Sequence, residues 1–242
     1  MIPKIIHYCW FGNNEIPKKE RECIESWKVY CGDYDIMEWN EENCDLESVR
    51  YVKEAYEAGK WAFVTDYIRL KVLTEYGGIY MDTDVEVIKP LDLFLNEHAF
   101  SGFQDENTVP TGIMACEKGF PLFCNLLDDY KTRSFKKSDG SYDFTTNVEV
   151  ITRYCVEHGL VLNNQKQTIE EFTLYPKEFF CAKSFRTGRV ECTDDTYTIH
   201  HFAGSWLTPW QKTKRSVKKI LGPNNTEKLL ALKHRNWSSC IL

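Results

Sequence analysis

The segment GGIYMDTDVEV, residues 77–87, decides how this sequence is interpreted. Its letters IYM form an apolar run of the length of a short buried strand, and two aspartates, Asp82 and Asp84, follow directly. Two carboxylates separated by one residue can converge on one hard cation when a strand holds them in place. An Asp-x-Asp pattern alone is a weak indication, because acidic loops contain it by chance. Its meaning therefore depends on what surrounds it.

A strongly periodic segment, residues 61–76, precedes the motif and predicts a helix that ends at the Gly-Gly pair. Asp66 and Arg69 are three residues apart in this segment, so they share one face of the helix. One alternative is an ordinary surface ion pair. The other is that the glycine pair brings the helix end against the acidic loop. A cation, an aspartate and an arginine would then surround an anionic, hydroxylated ligand.

Two further segments carry aromatic and polar side chains suited to such a ligand. In HHFAGSWLTPW, residues 200–210, a histidine can complete the coordination of Mn(II) beside carboxylates. Ser205 can bond phosphate oxygens there, and Trp206 can close over them. The alternative is a hydrophobic strand whose aromatic side chains belong to the core. In IPKIIHYCWFG, Trp10 at the end of the first strand could stack on a base, although aromatic residues at strand ends usually serve packing.

The remaining pattern alternates strands and helices, which predicts an α/β domain with a mainly parallel, twisted sheet covered on both faces. Neither a repeat nor an interdomain linker interrupts it. Strands are predicted at residues 2–8, 34–39, 79–81, 85–88, 99–103 and 113–116, and helices at 17–31, 47–58, 61–76, 121–131 and 148–158. Residues 103–112 and 136–147 are predicted loops, where we expect the residues that determine substrate specificity to lie.

The composition limits the classes of protein that remain. The chain has 242 residues, of which 14% are aromatic, and no apolar run has the roughly 18 to 20 residues that span a bilayer. The first residues lack the basic region and the cleavage site of a signal peptide, so we do not expect one. Ten cysteines are scattered without a CxxC pair, which favours free thiols in a reducing, cytoplasmic compartment.

The net charge of −6 is unevenly distributed. Residues 211–235 carry a charge of +7, and the rest of the chain carries −13. An acidic body argues against a general nucleic-acid-binding protein. We therefore expect a catalytic domain at residues 1–210 and a basic amphipathic tail at 211–242. The tail would hold the protein at an anionic membrane surface, on the cytoplasmic face of an inner membrane, unless it is simply a solvated basic segment.

Taken in order, IPKIIHYCWFG, SWKVYCGDYDIMEWN, AFVTDYIRLKVLTEYGGIYMDTDVEVIKPLD and IHHFAGSW resemble the sugar-nucleotide glycosyltransferases of family 32. That family includes capsule and lipopolysaccharide transferases, yeast mannosyltransferases and relatives of the clostridial toxin catalytic domains. The resemblance runs from residue 2 to residue 206. It implies a GT-A fold, in which the nucleotide lies at the carboxyl ends of the strands. It also implies a divalent cation, Mn²⁺ or Mg²⁺, and transfer with retention of anomeric configuration.

The resemblance assigns roles around the cation. Asp84 is similar to the main metal ligand, and Asp82 to the aspartate near ribose and metal. His201 is similar to a metal-binding histidine, with His200 as the competing ligand. Asp66 and Arg69 are similar to the residues that contact donor sugar and phosphate. The resemblance thus implies four catalytic residues, which are Asp66, Arg69, Asp82 and Asp84.

The same resemblance assigns the remaining contacts to the nucleotide sugar. Trp10 is similar to the aromatic residue that stacks on the base. Ser205 and Trp206 are similar to a flexible loop that closes on the diphosphate, and Asn147 lies where polar sugar-binding groups are expected.

The sequence thus predicts a retaining transferase that moves a hexose from a nucleotide sugar to a saccharide acceptor in surface polysaccharide synthesis. A UDP-sugar is favoured as donor and GDP-mannose is second, and the acceptor would be a glycan, including one linked to a polyprenyl lipid. Two alternatives stand. A haloacid-dehalogenase-type phosphatase shares the strand followed by Asp-x-Asp, but this chain has Glu86 where that chemistry uses Thr or Val. A silent sugar-binding scaffold of the same fold is the other.

Overall fold

A computed structural model describes residues 1–204, 222 and 224–226 of the chain. Within them, strands and helices alternate as the sequence predicts. The strands are β1 (Ile5–Cys9), β2 (Asp35–Trp39), β3 (Gly78–Met81), β4 (Val85–Val87), β5 (Ala99–Gly102), β6 (Ile113–Cys116), β7 (Gln167–Ile169), β8 (Phe172–Tyr175) and β9 (Thr198–His200). The helices are α1 (Lys18–Tyr30), α2 (Arg50–Glu57), α3 (Trp61–Tyr76), α4 (Pro121–Asp129), α5 (Asn147–Glu157) and α6 (Lys177–Phe180), with a 3₁₀ turn at Asp92–Phe94.

Seven strands form one sheet in the order β2-β1-β3-β6-β5-β8-β7, and β4 pairs with β9 separately. Strands β2, β1, β3, β5 and β8 run in the same direction, whereas β6 and β7 run against them. The predicted α/β class is therefore confirmed, with a sheet that is mixed. The connections between β5 and β6 (residues 103–112) and between β7 and β8 (residues 170–171) account for the antiparallel pairs, because each is too short for a crossover helix.

Hydrophobic cores cover both faces of this sheet, as the sequence predicts. Successive residues of β3 point to opposite faces, so Tyr80 packs into the core that contains α3 whereas Ile79 and Met81 pack into the core that contains Trp27 of α1. Helix α3 is buried around much of its circumference. A helix that is buried on several sides holds its polar side chains inside the protein, which is important for Asp66 and Arg69.

The chain reverses between α3 and β3 at the predicted Gly-Gly pair. Gly77 has φ +70°, and a Cβ there would lie 2.7 Å from the backbone nitrogen of Lys118. Gly78 has φ +99°, and a Cβ there would lie 2.7 Å from the carbonyl oxygen of Ile5. Only glycine meets both requirements, the left-handed conformation and the close approach. The turn places α3 beside β3 and brings its side chains to the loop that follows the strand.

The predicted domain division at residue 210 lies outside the described residues, as does nearly all of the tail. In the described part of the chain, no helix combines the length and the apolar character that crossing a membrane requires.

Candidate metal and nucleotide-sugar site

Asp82, Asp84 and His200 come together at the carboxyl end of β3. Strand β9 pairs with β4 in a register that places His200 opposite Val85, directly after Asp84. Each of the three side chains offers a ligand atom, and these atoms all lie within 4.8 Å of one another. Within the described residues, this is the one group of three or more such side chains that could hold a metal ion.

In each aspartate, one carboxylate oxygen accepts a hydrogen bond from a neighbouring group and the other oxygen faces His200. Oδ1 of Asp82 accepts a hydrogen bond from the Tyr80 hydroxyl at 3.0 Å, and its Oδ2 lies 3.9 Å from Nε2 of His200. Oδ2 of Asp84 accepts the backbone N–H of Ala203, and its Oδ1 lies 3.2 Å from the same nitrogen. Two carboxylate oxygens and an imidazole nitrogen therefore face one another, a donor set that suits Mn²⁺.

Asp84 and His200 stabilise each other's charged forms. Burial by itself favours the neutral forms of Asp84 and His200, but the attraction between them dominates. It holds the pKa of Asp84 well below its usual range and raises the pKa of His200 well above its ordinary value. A divalent cation would replace the imidazolium proton, because only the neutral imidazole binds metal.

His201 lies elsewhere, although it is the next residue. Its Nε2 is 2.7 Å from Oε2 of Glu86, and its backbone N–H donates to the carbonyl oxygen of Asp84 at 2.9 Å. The structure thus brings the competing histidine, His200, to the aspartates and does not bring the favoured one. The physical reason is the alternation of side chains in an extended segment, which turns neighbouring residues in opposite directions.

Asp66 and Arg69 form a buried ion pair, not the surface pair that was the alternative. Oδ1 of Asp66 lies 3.4 Å from Nη2 of Arg69, which also lies 3.4 Å from Oδ1 of Asp82. Nη1 of Arg69 donates to the carbonyl oxygen of Thr111, and the guanidinium lies over the ring of Tyr80 at 4.6 Å. Burial raises the pKa of Asp66 to about 6, with Arg69 opposing the rise. Arg69 therefore links Asp66 to the cluster of Asp82, Asp84 and His200.

Asn147 joins the same network at the first turn of α5. Its backbone N–H donates to Oδ2 of Asp66 at 3.2 Å, and its Nδ2 donates to the carbonyl oxygen of Asp66 at 2.6 Å. Its Oδ1 accepts from the Tyr130 hydroxyl at 2.7 Å. A carboxylate at a helix N-terminus is favourable, so Asp66 also helps to fix α5. The predicted sugar-binding amide is thus beside Asp66, but its polar atoms are engaged within the protein.

Trp10 lies just beyond the carboxyl end of β1, which is the neighbour of β3 in the sheet. Its ring is half-buried, and its Nε1 donates to the carbonyl oxygen of Asn14 at 2.6 Å. The ring also packs against the core that contains Trp27, so the predicted contact to a base stays a prediction. Ser205 and Trp206 lie outside the described residues, so their predicted role at the diphosphate stays a prediction.

Several residues of the site were not identified from the sequence. Tyr80 stands two positions before Asp82, and the period of two in a strand could have placed both on one face. Thr111 and Gly112 had no such signal, because they reach Arg69, Asp82 and His200 only through the pairing of β3 with β6.

Comparison with known proteins supports this assignment of the region. Residues 17–101 match the family described as a glycosyltransferase sugar-binding region containing DXD motif, and they include Asp66, Arg69 and both aspartates of the motif. Inositol phosphoceramide mannosyltransferase 3 of Schizosaccharomyces pombe is 28% identical over 134 residues, which cover 52% of this chain and 36% of that protein. Subversion of eukaryotic traffic protein A of Legionella pneumophila is 24% identical over 180 residues, 60% of this chain and 27% of that protein.

A solved structure, a glycosyltransferase involved in the glycosylation of the major capsid of PBCV-1, is 15% identical with a TM-score of 0.44 over 82% of this chain and 93% of that one. The chain spans about a third of the length of the curated relatives that it matches. In the structure described above, the Asp-x-Asp loop follows a central strand of an α/β sheet, which is the GT-A arrangement that the sequence predicts. The match of residues 17–101 confirms the predicted resemblance: this part of the chain is similar to the DXD-containing sugar-binding region of glycosyltransferases.

Proposed function

We propose that this protein is a metal-dependent, retaining hexosyltransferase that takes its sugar from a nucleotide-sugar donor. The observation that carries the proposal is the convergence of Asp82, Asp84 and His200 at the end of β3, with Arg69 and Asp66 directly beside them. This arrangement combines a site for a cation with a buried cation of the protein itself. The matched sugar-binding region supports the same reading.

Oδ2 of Asp82, Oδ1 of Asp84 and Nε2 of His200 would hold the cation. When bound, a divalent ion would offset the negative charge of a diphosphate leaving group. The imidazole nitrogen favours Mn²⁺ over Mg²⁺, which prefers oxygen ligands.

Arg69 and Asp66 have complementary tasks in this proposal. Arg69 already forms ion pairs with two carboxylates and a hydrogen bond with one carbonyl group, so it would fix the side chains around the cation and add positive charge close to the diphosphate. Asp66, whose pKa is about 6, is mainly ionised at neutral pH. A carboxylate there would stabilise the positive charge that grows on the donor sugar as its anomeric bond breaks.

The finer assignments are also part of the proposal. A UDP-sugar is the favoured donor, and the mannosyltransferase relative supports testing GDP-mannose beside it. The acceptor would be a saccharide, including one linked to a polyprenyl lipid, in surface polysaccharide synthesis on the cytoplasmic face of a membrane. Trp10 would stack on the base, and Ser205 and Trp206 would close on the diphosphate.

A thermal-shift screen tests this function without knowledge of the acceptor. UDP-, GDP- and dTDP-sugars are added one at a time, with and without Mn²⁺, because selective binding to the folded state raises the unfolding temperature. We expect one nucleotide class to stabilise the protein, and to do so only with Mn²⁺. If no nucleotide sugar shifts the transition with Mn²⁺ present, the proposal is wrong.

A further inference from the structure

Thr111 and Gly112, the last two residues of the predicted loop at 103–112, contact three residues of the site. The carbonyl oxygen of Thr111 accepts a hydrogen bond from Nη1 of Arg69. The carbonyl oxygen of Gly112 accepts a hydrogen bond from the backbone N–H of Asp82 at 2.8 Å. Two neighbouring carbonyl groups thus hold the arginine and the first aspartate of the motif.

The third contact is between Gly112 and His200. A Cβ at position 112 would lie 2.5 Å from both Cε1 and Nδ1 of the imidazole and 3.3 Å from Nε2. Carbon atoms that are not bonded to each other do not approach so closely, so the ring occupies the space that any side chain at 112 would need. The ring of Phe202 stacks on the imidazole at 4.1 Å between centroids, which limits how far the imidazole could move away.

The segment is itself held firmly. The buried hydroxyl of Ser101 donates to the carbonyl oxygen of Ile113 at 2.7 Å, directly after Gly112. Strand β6 then pairs with β3 along its length. A side chain at position 112 would therefore displace the His200 imidazole more readily than it would displace the backbone of residue 112.

We infer that Gly112 is a positioning residue of the metal site: the missing side chain lets the His200 imidazole lie where its Nε2 faces Asp82 and Asp84. The inference rests on the proposed function. It also reassigns the end of the 103–112 loop, where we expected substrate specificity, to the support of the cation ligands. Gly112 has a φ outside the left-handed region, so alanine fits its backbone and tests the contact alone.

The test measures the affinity of the protein for Mn²⁺ alone, from the electron paramagnetic resonance signal of free Mn²⁺. Gly112→Ala should lower this affinity at least tenfold, a loss typical of supporting residues in metal sites. Gly102→Ala is the matched control, because the nearest neighbours of its Cβ would be Phe180 and Tyr175, both at 3.1 Å, and not a residue of the metal site. It should leave the affinity for Mn²⁺ unchanged.

A double-mutant cycle shows whether the effect passes through the imidazole. In a His200→Ala background, Gly112→Ala should cause no further loss of Mn²⁺ affinity. Equal losses of Mn²⁺ affinity in both backgrounds, or an unchanged affinity in folded Gly112→Ala, would overturn this inference and leave the proposed function standing. A wild-type protein that binds no Mn²⁺ would overturn the proposed metal dependence together with it.

Thermal unfolding covers the case in which Gly112→Ala folds poorly. Removing the imidazole removes the clash, so Gly112→Ala/His200→Ala should recover the unfolding temperature of His200→Ala. A double variant as unstable as Gly112→Ala would contradict the inference, because the defect would then lie in the backbone.

Discussion

His200 and His201 are adjacent in the chain, yet only one of them faces the aspartates. His200 Nε2 lies 3.2 Å from Asp84, whereas His201 Nε2 lies 2.7 Å from Glu86. His200→Ala should therefore lower the affinity for Mn²⁺ about 100-fold or more, since even supporting residues cost 10- to 100-fold. His201→Ala is the matched control and should change it less than threefold. Titration with Mn²⁺ distinguishes the two, and the opposite ranking would return the ligand role to His201.

Another histidine, His7, is buried as a neutral ring within β1. Its Nε2 bonds to the carbonyl oxygen of Gly77 at 2.9 Å, and Nε1 of Trp39 donates to its Nδ1 at 3.1 Å. Burial lowers the pKa of His7 to about 4, against an ordinary value near 6.5. Between these two pH values the unfolded chain binds a proton that the folded chain does not, so stability falls as the pH falls.

His7→Gln isolates this contribution from the other acid-titrating groups. The stability advantage of the wild type over His7→Gln should shrink by about 3 kcal/mol between pH 7 and pH 4, and then level off. Urea unfolding at a series of pH values measures it. An advantage that is constant over this range would show that His7 is not held neutral.

Among the elements, α3 depends on a buried ion pair that links it to β3 and α5. Arg69 and Asp66 are each under a tenth exposed, and removing one partner of such a pair leaves an unpaired buried charge. Arg69→Met should therefore lower the free energy of unfolding by about 3 kcal/mol or more. Arg50→Met is the matched control, because the Arg50 side chain of α2 is 71% exposed in its pair with Glu54, and the substitution should cost about 0.5 kcal/mol at most.

Denaturant unfolding of both variants measures these costs. If Arg69→Met and Arg50→Met cost the same, the Asp66–Arg69 pair does not hold the three elements together. A partial recovery of stability in Asp66→Asn/Arg69→Met would support the account, because the unpaired carboxylate is then removed.

Local patterns in the sequence were sufficient for the elements that carry most of the site. Helix α3 has the predicted bounds because its apolar period and the Gly-Gly pair are both local signals, and the spacing of Asp66 and Arg69 correctly placed them on one face. The position of the Asp-x-Asp loop after a buried strand was also local. These features depend on residues within one or two turns of each other.

Contacts between distant segments could not be predicted in the same way. Which histidine faces Asp84 depends on the register of β9 against β4, which are over 100 residues apart. Gly112 and Tyr130 reach the site through the pairing of strands and the packing of helices, for which one sequence holds no signal. The pairing of β6 with β3, which are not consecutive strands, is likewise a property of the assembled sheet.

For the whole molecule, the tail at residues 211–242 carries a separate prediction. Eight basic residues between 211 and 235, each contributing roughly 1 kcal/mol near an anionic surface, would hold the protein on such a membrane at moderate salt. In vesicle co-sedimentation, we expect binding to anionic liposomes and not to zwitterionic ones, with loss of binding in high salt. A protein truncated at residue 211 should remain in the supernatant. Equal sedimentation of the truncated protein would show that the tail is not the anchor.

The central claim is that Asp82, Asp84 and His200 hold a divalent cation for nucleotide-sugar chemistry. The most direct measurement is the release of nucleoside diphosphate from UDP- and GDP-sugars by the purified protein, followed by mass spectrometry. We predict release from one nucleotide class with Mn²⁺, none after chelation with EDTA, and a loss of at least about 100-fold in Asp84→Asn, or roughly 3 kcal/mol in activation free energy. The exposed Asp129→Asn, at the end of α4, is the control and should match the wild type. Undiminished release by Asp84→Asn at saturating Mn²⁺ and donor would contradict the account.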